Sequence, residues 1–374
     1  ILPLGNGKCY VSGTFTEYDG NTANGLCRLN TDGSFDASFS PTVQGGGPLV
    51  LDHVGRLIVN ARYRLNDDGS TDTSFNTGTG FANAFGSTTP TAVAYHQGGF
   101  IATGDFTSFN GIGRDRIARI NGVTFANLPV SMRVLLEGPY DANTLLMNDG
   151  LRAAGLIPTT EPLTTSGFSH VGEPAGQTAA ASVFNAASPA FNSIVDWVLL
   201  ELRDATSPST VLQTRTCLIQ REGEVVGLDG VSPVIFNYPA GNYHVAVRAR
   251  GHLGCMTASP LALSTTTTNI LFSLPATSTY GTGARKTIGT RAVLLAGDVD
   301  HDGSIRYTGA NNDRDRVLVR VGSTTPNGTV TGYWPEDLNM DGVVKYTGTS
   351  NDRDPILTNV GGTTPNGVRV QQIP

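Results

Sequence analysis

The amino-acid sequence predicts a mainly β fold in three domains, over residues 1–123, 124–284 and 285–374. The 374 residues are more than one hydrophobic core usually organises. The 46 glycines, with abundant threonine and asparagine, favour turns and strands over helices. Short apolar or alternating runs recur through the first two thirds, and an acidic pattern occurs twice in the last part.

A strand–turn–strand repeat fills residues 1–123. RLNTDGSFDASF (28–39) matches RLNDDGSTDTSF (64–75), and strand-like segments begin near Gly7, Gly55 and Gly98. Each copy turns at a DG or NG pair and returns as a second strand, as in RIARIN (116–121). Several short strands in each repeat of 40–50 residues are typical of β-propeller blades.

The pattern GxxxxxGxF…RLNxDGSxDxSF resembles the delta-60 β-propeller repeat of bacterial secreted and surface proteins. Two and a half copies are fewer than the roughly four blades that a closed ring needs. We therefore expect more blades upstream of Ile1, or an open edge that another chain completes. The aspartates of the Asp-Gly pairs are predicted to be turn residues rather than metal ligands.

Residues 124–284 carry a series of strand signals. These are Met132–Leu136, Ile194–Leu202, Val211–Gln220, Val234–Asn237, Tyr243–Arg250 and Ile270–Leu274. A short helix is predicted over Leu145–Ala154, and GTGARKTIG (281–289) is interpreted as a linker. Short strands separated by Pro and Gly suggest a β-sandwich, with Trp197 and Tyr243 as core aromatics. YPAGNYHVAVR (238–248) resembles the edge of prealbumin-like and other immunoglobulin-like modules of bacterial surface proteins.

Residues 285–374 contain one acidic pattern twice, 39 residues apart (337 − 298): DVDHDGSIRYTGANNDRD (298–315) and DLNMDGVVKYTGTSNDRD (337–354). Ca²⁺ requires oxygen ligands at loop positions 1, 3 and 5, followed by a turn glycine, here Gly303 or Gly342. Two calcium ions are therefore predicted. Their early ligands are Asp298, Asp300, Asp302 and the carbonyl of Ser304 in one loop, and Asp337, Asn339, Asp341 and the carbonyl of Val343 in the other.

This tandem pattern resembles dockerin-like EF-hand repeats, which form paired calcium loops at the ends of secreted bacterial proteins. It departs from them at position 12, where Gly309 and Gly348 replace the bidentate acid. A bulge over YTGA or YTGT would instead deliver a later acid, and the predicted later ligands are Asp313, Asp315, Asp352 and Asp354. The alternative is that these acids only cap helices, because the helix dipole favours carboxylates in the first turn.

The sequence excludes several functions. It contains no HExxH, GxSxG, P-loop or strand-bound Rossmann pattern, so we expect no enzyme activity. A net charge of −6 gives no electrostatic reason to bind nucleic acid. No apolar run approaches the ~20 residues of a membrane-spanning helix. The chain begins at Ile1 rather than Met, so we expect it to start after processing or within a longer protein.

The order of the modules resembles large secreted or surface proteins of Bacteroidota-type bacteria, which implies an extracellular or cell-surface location. The leading hypothesis is a non-enzymatic structural or adhesive protein, stabilised by calcium and assembling end to end into filaments. Its expected partners are another protein, further copies of itself or a surface glycan.

Two alternative functions stay open. One is a calcium-dependent docking module for a cohesin-like partner. The other is a secreted hydrolase, either with an acid pair such as Asp105 and Asp115 or with this chain as its non-catalytic part.

Four cysteines leave two interpretations open. Cys9–Cys27 and Cys217–Cys255 pairings would suit an oxidising exterior, and buried free thiols are the alternative.

Overall fold

A computed structural model describes residues 1–52, 55–73, 75, 77–96, 98–121, 126–185 and 190–374. The chain forms two compact units, Ile1–Phe125 and Ala126–Pro374. Both units are mainly β, as predicted. The first boundary lies beside the predicted one at 123/124. Residues 126–374 form a single unit, so the division after residue 284 stays a prediction.

The described part of the first unit contains fifteen short strands. They are β1 Leu2–Pro3, β2 Cys9–Ser12, β3 Glu17–Tyr18, β4 Asn21–Thr22, β5 Leu26–Leu29, β6 Leu49–Leu51, β7 Leu57–Val59, β8 Tyr63–Leu65, β9 Phe81–Asn83, β10 Gly86–Thr88, β11 Ala92–His96, β12 Gly99–Thr103, β13 Ser108–Phe109, β14 Ile112–Gly113 and β15 Ile117–Asn121. Each of the three repeat copies folds as one three-stranded antiparallel sheet, in the orders β1-β2-β5, β6-β7-β8 and β11-β12-β15. A β3-β4 hairpin and a β10-β9-β13-β14 sheet complete the unit.

The repeated RLNxDGSxD segment is held by one hydrogen-bond pattern in both copies. Asp32 and Asp68 accept the N–H of the serine two residues later at 3.0 and 2.9 Å, which makes them turn residues. The Arg28 Nε donates to Asp36 at 2.7 Å, and the Arg64 Nε donates to Asp72 at 2.8 Å. The arginine thus closes each turn onto its own strand.

The second unit is built on one ten-stranded hydrogen-bonded network with the path β22-β16-β21-β20-β19-β23-β24-β29, to which β25 and β26 attach at β23 and β16. Its strands are β16 Ala126–Arg133, β17 Tyr140–Asp141, β18 Leu146–Met147, β19 Ile194–Asp204, β20 Val211–Gln220, β21 Glu224–Val226, β22 Val234–Tyr238, β23 Gly241–Ala249, β24 Gly251–Met256, β25 Leu261–Leu263, β26 Thr268–Leu271, β27 Arg285–Ile288, β28 Arg291–Leu294, β29 Ala296–Asp298, β30 Ser304–Arg306, β31 Thr329–Thr331, β32 Val343–Lys345 and β33 Val368–Val370. The helices are α1 Gly150–Ala153, α2 Ala181–Phe184, α3 Asp313–Arg320 and α4 Arg353–Asn359.

Most strand predictions in the second unit match observed strands, and Trp197 is fully buried. Two predictions were wrong. The helix predicted over Leu145–Ala154 is limited to α1, because residues 146–147 pair with residues 140–141 as a small hairpin. The predicted linker 281–289 contains strand β27, which pairs with β28 along its whole length. Glycines at both ends of that strand concealed it in the sequence.

All four cysteines are free. The Cys217–Cys255 pairing is excluded because Cys217 lies on β20 and Cys255 on β24, with β19 and β23 between them. Three strand spacings amount to roughly 14 Å, whereas a disulfide needs Cα atoms within about 7 Å. Cys9 lies opposite Leu29 and Cys27 lies opposite Val11, so the two cysteines are diagonal neighbours on adjacent strands. The free-thiol alternative therefore describes this structure.

Candidate metal centre

The two acidic loops adopt the same backbone conformation. Positive φ angles occur at equivalent positions: 60° and 56° at His301 and Met340, and 82° and 87° at Gly303 and Gly342. A Cβ-bearing residue would be strained at the turn glycine, which explains its presence at position 6 in both copies. The sequence repeat is thus a structural repeat.

The loops exchange strands with each other. Strand β30, which leaves the first loop, pairs with β33, and β32, which leaves the second loop, pairs with β31. Side chains connect the two copies in the same way. The hydroxyls of Thr308 and Thr347 donate to the Oδ1 atoms of Asn366 and Asn327, each at 2.8 Å. The loops therefore form one intertwined pair with approximate two-fold symmetry.

Three carboxylates of the first loop converge. Asp298, Asp300 and Asp302 each offer one oxygen, and these oxygens lie within 4.8 Å of one another. Asp298 is 2% exposed, and its Oδ1 is buried with no hydrogen-bond partner among the described residues. Its Oδ2 accepts the N–H of Gly303 at 3.3 Å. A buried, unpartnered carboxylate oxygen facing two further carboxylates is the arrangement that a bound cation satisfies.

Burial and neighbouring acids raise the pKa of Asp298 to about 8, since desolvation and the charges of Asp313, Asp302 and Asp300 all disfavour its ionised form. Burial also raises the pKa of Asp313 to about 7. Without a cation these groups therefore resist ionisation at neutral pH.

The chain returns to each loop through the predicted bulge. Gly309 and Gly348 have φ angles of 91° and 90°, and helices α3 and α4 begin beside their loops. Asp313 accepts the N–H groups of Val299 and Arg306 at 2.8 and 2.7 Å. Asp352 accepts the equivalent N–H groups of Leu338 and Lys345, both at 2.8 Å. Both acids are buried and lie against the start and the end of their loops.

The second loop has fewer carboxylates. Asp337 is buried and accepts the N–H of Gly342 at 2.9 Å, and Asn339 occupies the place of Asp300. Asp341 is more exposed and accepts the N–H of Val343 at 2.8 Å, as Asp302 does from Ser304. Burial raises the pKa of Asp337 to about 6 and that of Asp352 to about 7.

Asp315 and Asp354 lie outside these clusters. Asp315 donates its backbone N–H to the Asn312 side chain at 2.9 Å, and its carboxylate accepts from Asn312 at 2.8 Å. Asp354 makes the same pair of bonds with Asn351, at 3.0 and 2.8 Å. Asn312 is the N-cap residue of α3, so its side chain caps that helix, and Asn351 makes the same bonds one residue before the N-cap of α4. The geometry agrees with the capping alternative for these two acids.

The arginines around the first loop are a feature that the sequence repeat did not predict. Arg316 contacts Asp300 at 3.1 Å, and Arg306 forms an ion pair with Asp302. In the second copy Pro355 stands where Arg316 stands in the first, opposite an uncharged Asn339. The sequence did contain a sign of the contact between Arg316 and Asp300, because the two copies differ at both of these positions.

A buried ionic cluster connects the second loop to the central sheet. Arg250 and Asp196 side chains are 1% and 0% exposed and form an ion pair at 3.0 Å. The Tyr333 hydroxyl donates to Asp196 at 2.6 Å, and the Arg250 guanidinium lies over the Tyr333 ring at 4.3 Å. Arg250 also donates to the backbone carbonyls of Trp334 and Asp337.

The apolar core of the loop pair includes residues of the sheet. Val317 and Ile356, which are equivalent in the two helices, pack in one cluster with Leu253 and Leu295. The loop pair is thus an integral part of the second unit.

The acid pair suggested for a hydrolase does not form a buried site. Asp105 and Asp115 side chains are 90% and 86% exposed and flank Arg116 at 3.9 and 3.8 Å. Carboxylates this exposed form only weak, solvent-screened ion pairs with the arginine.

Comparison with known families gives one match, to a family described as a domain of unknown function (DUF5122) beta-propeller, over residues 4–39. The matched segment contains β2 and β5 and the first RLNxDGSxD turn, so it supports a β-propeller repeat in the first unit. No curated protein matches the chain. No solved structure matches it. In the described parts of the chain, no helix has the length and apolar character needed to cross a membrane.

Proposed function

We propose that this chain is a non-enzymatic, extracellular structural or adhesive protein whose second unit is stabilised by two calcium ions. The observation that carries the proposal is the convergence of Asp298, Asp300 and Asp302 around the unpartnered, buried Oδ1 of Asp298. Asp313 adds a fourth carboxylate to that loop, and Asp337, Asn339, Asp341 and Asp352 are the equivalent donors in the second. All are hard oxygen ligands, which suit Ca²⁺.

A structural role is favoured over a docking role because the loop pair is packed into its own unit. The carbonyl of Leu338 lies where a Cβ on Gly138 would be, and backbone atoms of Met340 and Asp341 lie 2.9 Å from the position of a Cβ on Gly150. The face of the second loop that contacts these glycines is therefore covered. We propose that the pair is dockerin-like in its loops and the sheet immunoglobulin-like, while the pair serves its own chain.

Assembly with another chain would use a free sheet edge. Within the described residues, β11 pairs with β12 on one side only, and its residues alternate between exposed and half-buried. The outer strand of a sheet can pair with a strand of another chain. Negative-stain imaging with calcium and with EGTA tests the filament proposal, and uniformly monomeric particles in calcium would contradict it.

Calcium binding is tested by isothermal titration of the metal-stripped chain, for which we expect two sites. Asp298→Asn should abolish one site and Asp337→Asn the other, whereas Asp115→Asn, an exposed acid of the first unit, should leave both. A titration without binding heat, together with an unchanged melting temperature in calcium, would refute the metal assignment.

The two late acids of the first loop should behave differently. Asp313→Asn removes a charge beside Asp298 and should weaken that site at least tenfold. Asp315→Asn should leave the affinity within twofold and reduce stability by about 0.5–1 kcal/mol, as expected for a weakened helix cap. Equal losses of affinity in both variants would show that Asp315 is a ligand after all.

A further inference from the structure

Three polar side chains from distant segments meet beneath the loop pair. Glu137 follows strand β16, Lys286 lies on β27, and Asn359 is the last residue of α4. The Lys286 Nζ contacts both the Glu137 Oε1 and the Asn359 Oδ1, the latter at 2.9 Å. The Asn359 Nδ2 donates to the Glu137 Oε2 at 2.6 Å. Each of the three side chains therefore touches the other two.

The group is enclosed and held in place. Asn359 is 4% exposed, and the side chains of Glu137 and Lys286 are 10% and 26% exposed. The Asn359 Nδ2 also donates to the carbonyl of Ala296 at 2.7 Å, and the Ala296 N–H donates to Glu137 at 2.9 Å. These bonds fix the plane of the carboxamide and place the amine against its carbonyl end.

Asn359 also departs from the repeat. The equivalent residue of the first copy, 39 positions earlier, is Arg320, which pairs with Glu336 at 3.0 Å on a more exposed surface. The second copy therefore has a buried carboxamide where the first has an ordinary ion pair. Lys286 is one of three lysines in the chain, with Lys8 and Lys345.

We propose that Lys286 and Asn359 form an intramolecular amide bond, with Glu137 as general base and then general acid. The Glu137 carboxylate accepts a proton from the Lys286 ammonium, and the neutral Nζ attacks the Asn359 Cγ. In the tetrahedral intermediate Glu137 passes this proton to Nδ2, the Cγ–Nδ2 bond breaks and ammonia leaves. The second Nζ proton passes through the Glu137 carboxylate to the ammonia, so the products are a neutral secondary amide and an ammonium ion. One N–C bond replaces another, so no oxidant or other reactant is needed. Fixed proximity supplies the rate, as in other intramolecular acyl transfers.

The bond would close a loop over the 73 positions between its ends, and both acidic loops lie within it. Like a disulfide over a long loop, such a bond restricts the unfolded chain more than the folded one. It would join helix α4 to strand β27 by a covalent link that reducing agents leave intact.

Intact mass spectrometry of the purified full chain tests the proposal. We expect a mass about 17 Da below that of the sequence, the loss of one ammonia. Tryptic digestion should release a branched peptide in which residues 286–291 are joined to residues 354–369. Lys286→Arg, Asn359→Ala and Glu137→Gln should each show the full sequence mass, and Lys8→Arg, a matched control, should keep the deficit. Glu137→Gln preserves the size of the side chain, so circular dichroism should show it folded.

Two results would overturn the proposal. A folded wild-type chain with the full sequence mass would show that the three residues form only an ion pair and hydrogen bonds. A deficit that persists in Lys286→Arg, with separate tryptic peptides, would indicate a succinimide at an Asn-Gly pair such as Asn366-Gly367.

Discussion

Removing both calcium ions with EGTA at pH 8 is expected to lower the melting temperature of the second unit by roughly 12–24 °C. Binding to the native state adds about 3 kcal/mol for each site at a free calcium concentration a hundredfold above Kd. In a unit of this size, 1 kcal/mol corresponds to roughly 2–4 °C. Because Leu253 and Leu295 of the sheet region share a core with both helices, the sheet and the loops should melt together.

The effect of removing calcium should grow with pH. Without calcium, Asp298, Asp313 and Asp352 have folded-state pKa values of about 8, 7 and 7, above their ordinary value of 3.8. The folded state then binds more protons than the unfolded state between about pH 4 and 8, so the metal-free protein loses stability as pH rises through this window. With calcium the ionised carboxylates are the ligands, and this loss should disappear.

Scanning calorimetry of the metal-stripped protein at pH 5, 6, 7 and 8, with added calcium and in calcium-free buffer, measures both effects. The Asp298→Asn/Asp337→Asn double variant is the control, since it should melt at the same temperature in both buffers. A difference between the buffers that is equally large at pH 5 and pH 8 would contradict the assignment of the buried aspartates as ligands.

Arg250→Met is expected to destabilise the second unit by about 3–5 kcal/mol, because it leaves the buried Asp196 carboxylate without its cation. Asp196 would keep the Tyr333 hydroxyl, at 2.6 Å, and the Trp197 N–H, at 2.8 Å, as hydrogen-bond donors. Urea denaturation followed by Trp fluorescence measures the change. The midpoint should fall at an unchanged slope.

Two variants isolate the charge effect. The first is Arg248→Met. Arg248 lies on β23, is 23% exposed and pairs with Glu201 at 3.6 Å, so its replacement should cost no more than about 1 kcal/mol. The double variant Arg250→Met/Asp196→Leu should recover most of the lost stability, since it removes both charges. A double variant no more stable than Arg250→Met would show that geometry, not charge, makes Arg250 important.

Local patterns predicted the features that depend on neighbouring residues. The Asp-Gly turns of the first unit follow from φ preferences, and the two loops follow from ligand spacing and the glycine at position 6. The same local information could not separate Asp313 from Asp315. Both suit the first turn of a helix, and only the position of Asn312 assigns Asp315 to the cap.

Long-range features could not be predicted from patterns. The ion pair of Arg250 and Asp196 joins a turn residue to a strand residue 54 positions away, and the contact of Glu137 with Asn359 spans 222 positions. Strand β27 was concealed because it is short and flanked by glycines. The separation of Cys217 from Cys255 depends on strand order, which spacing along the chain does not determine.

The strand exchange between the two loops has a consequence for the order in which the protein is made. The first loop is synthesised early, but its strand β30 has no partner until β33 has been synthesised. A ribosome or a secretion channel releases the chain from its N-terminus, so the first loop waits while the second loop and α4 emerge. Its contacts are of high sequence separation, which makes their closure slow. The last folding step of this loop pair therefore waits for β33, and that strand completes it.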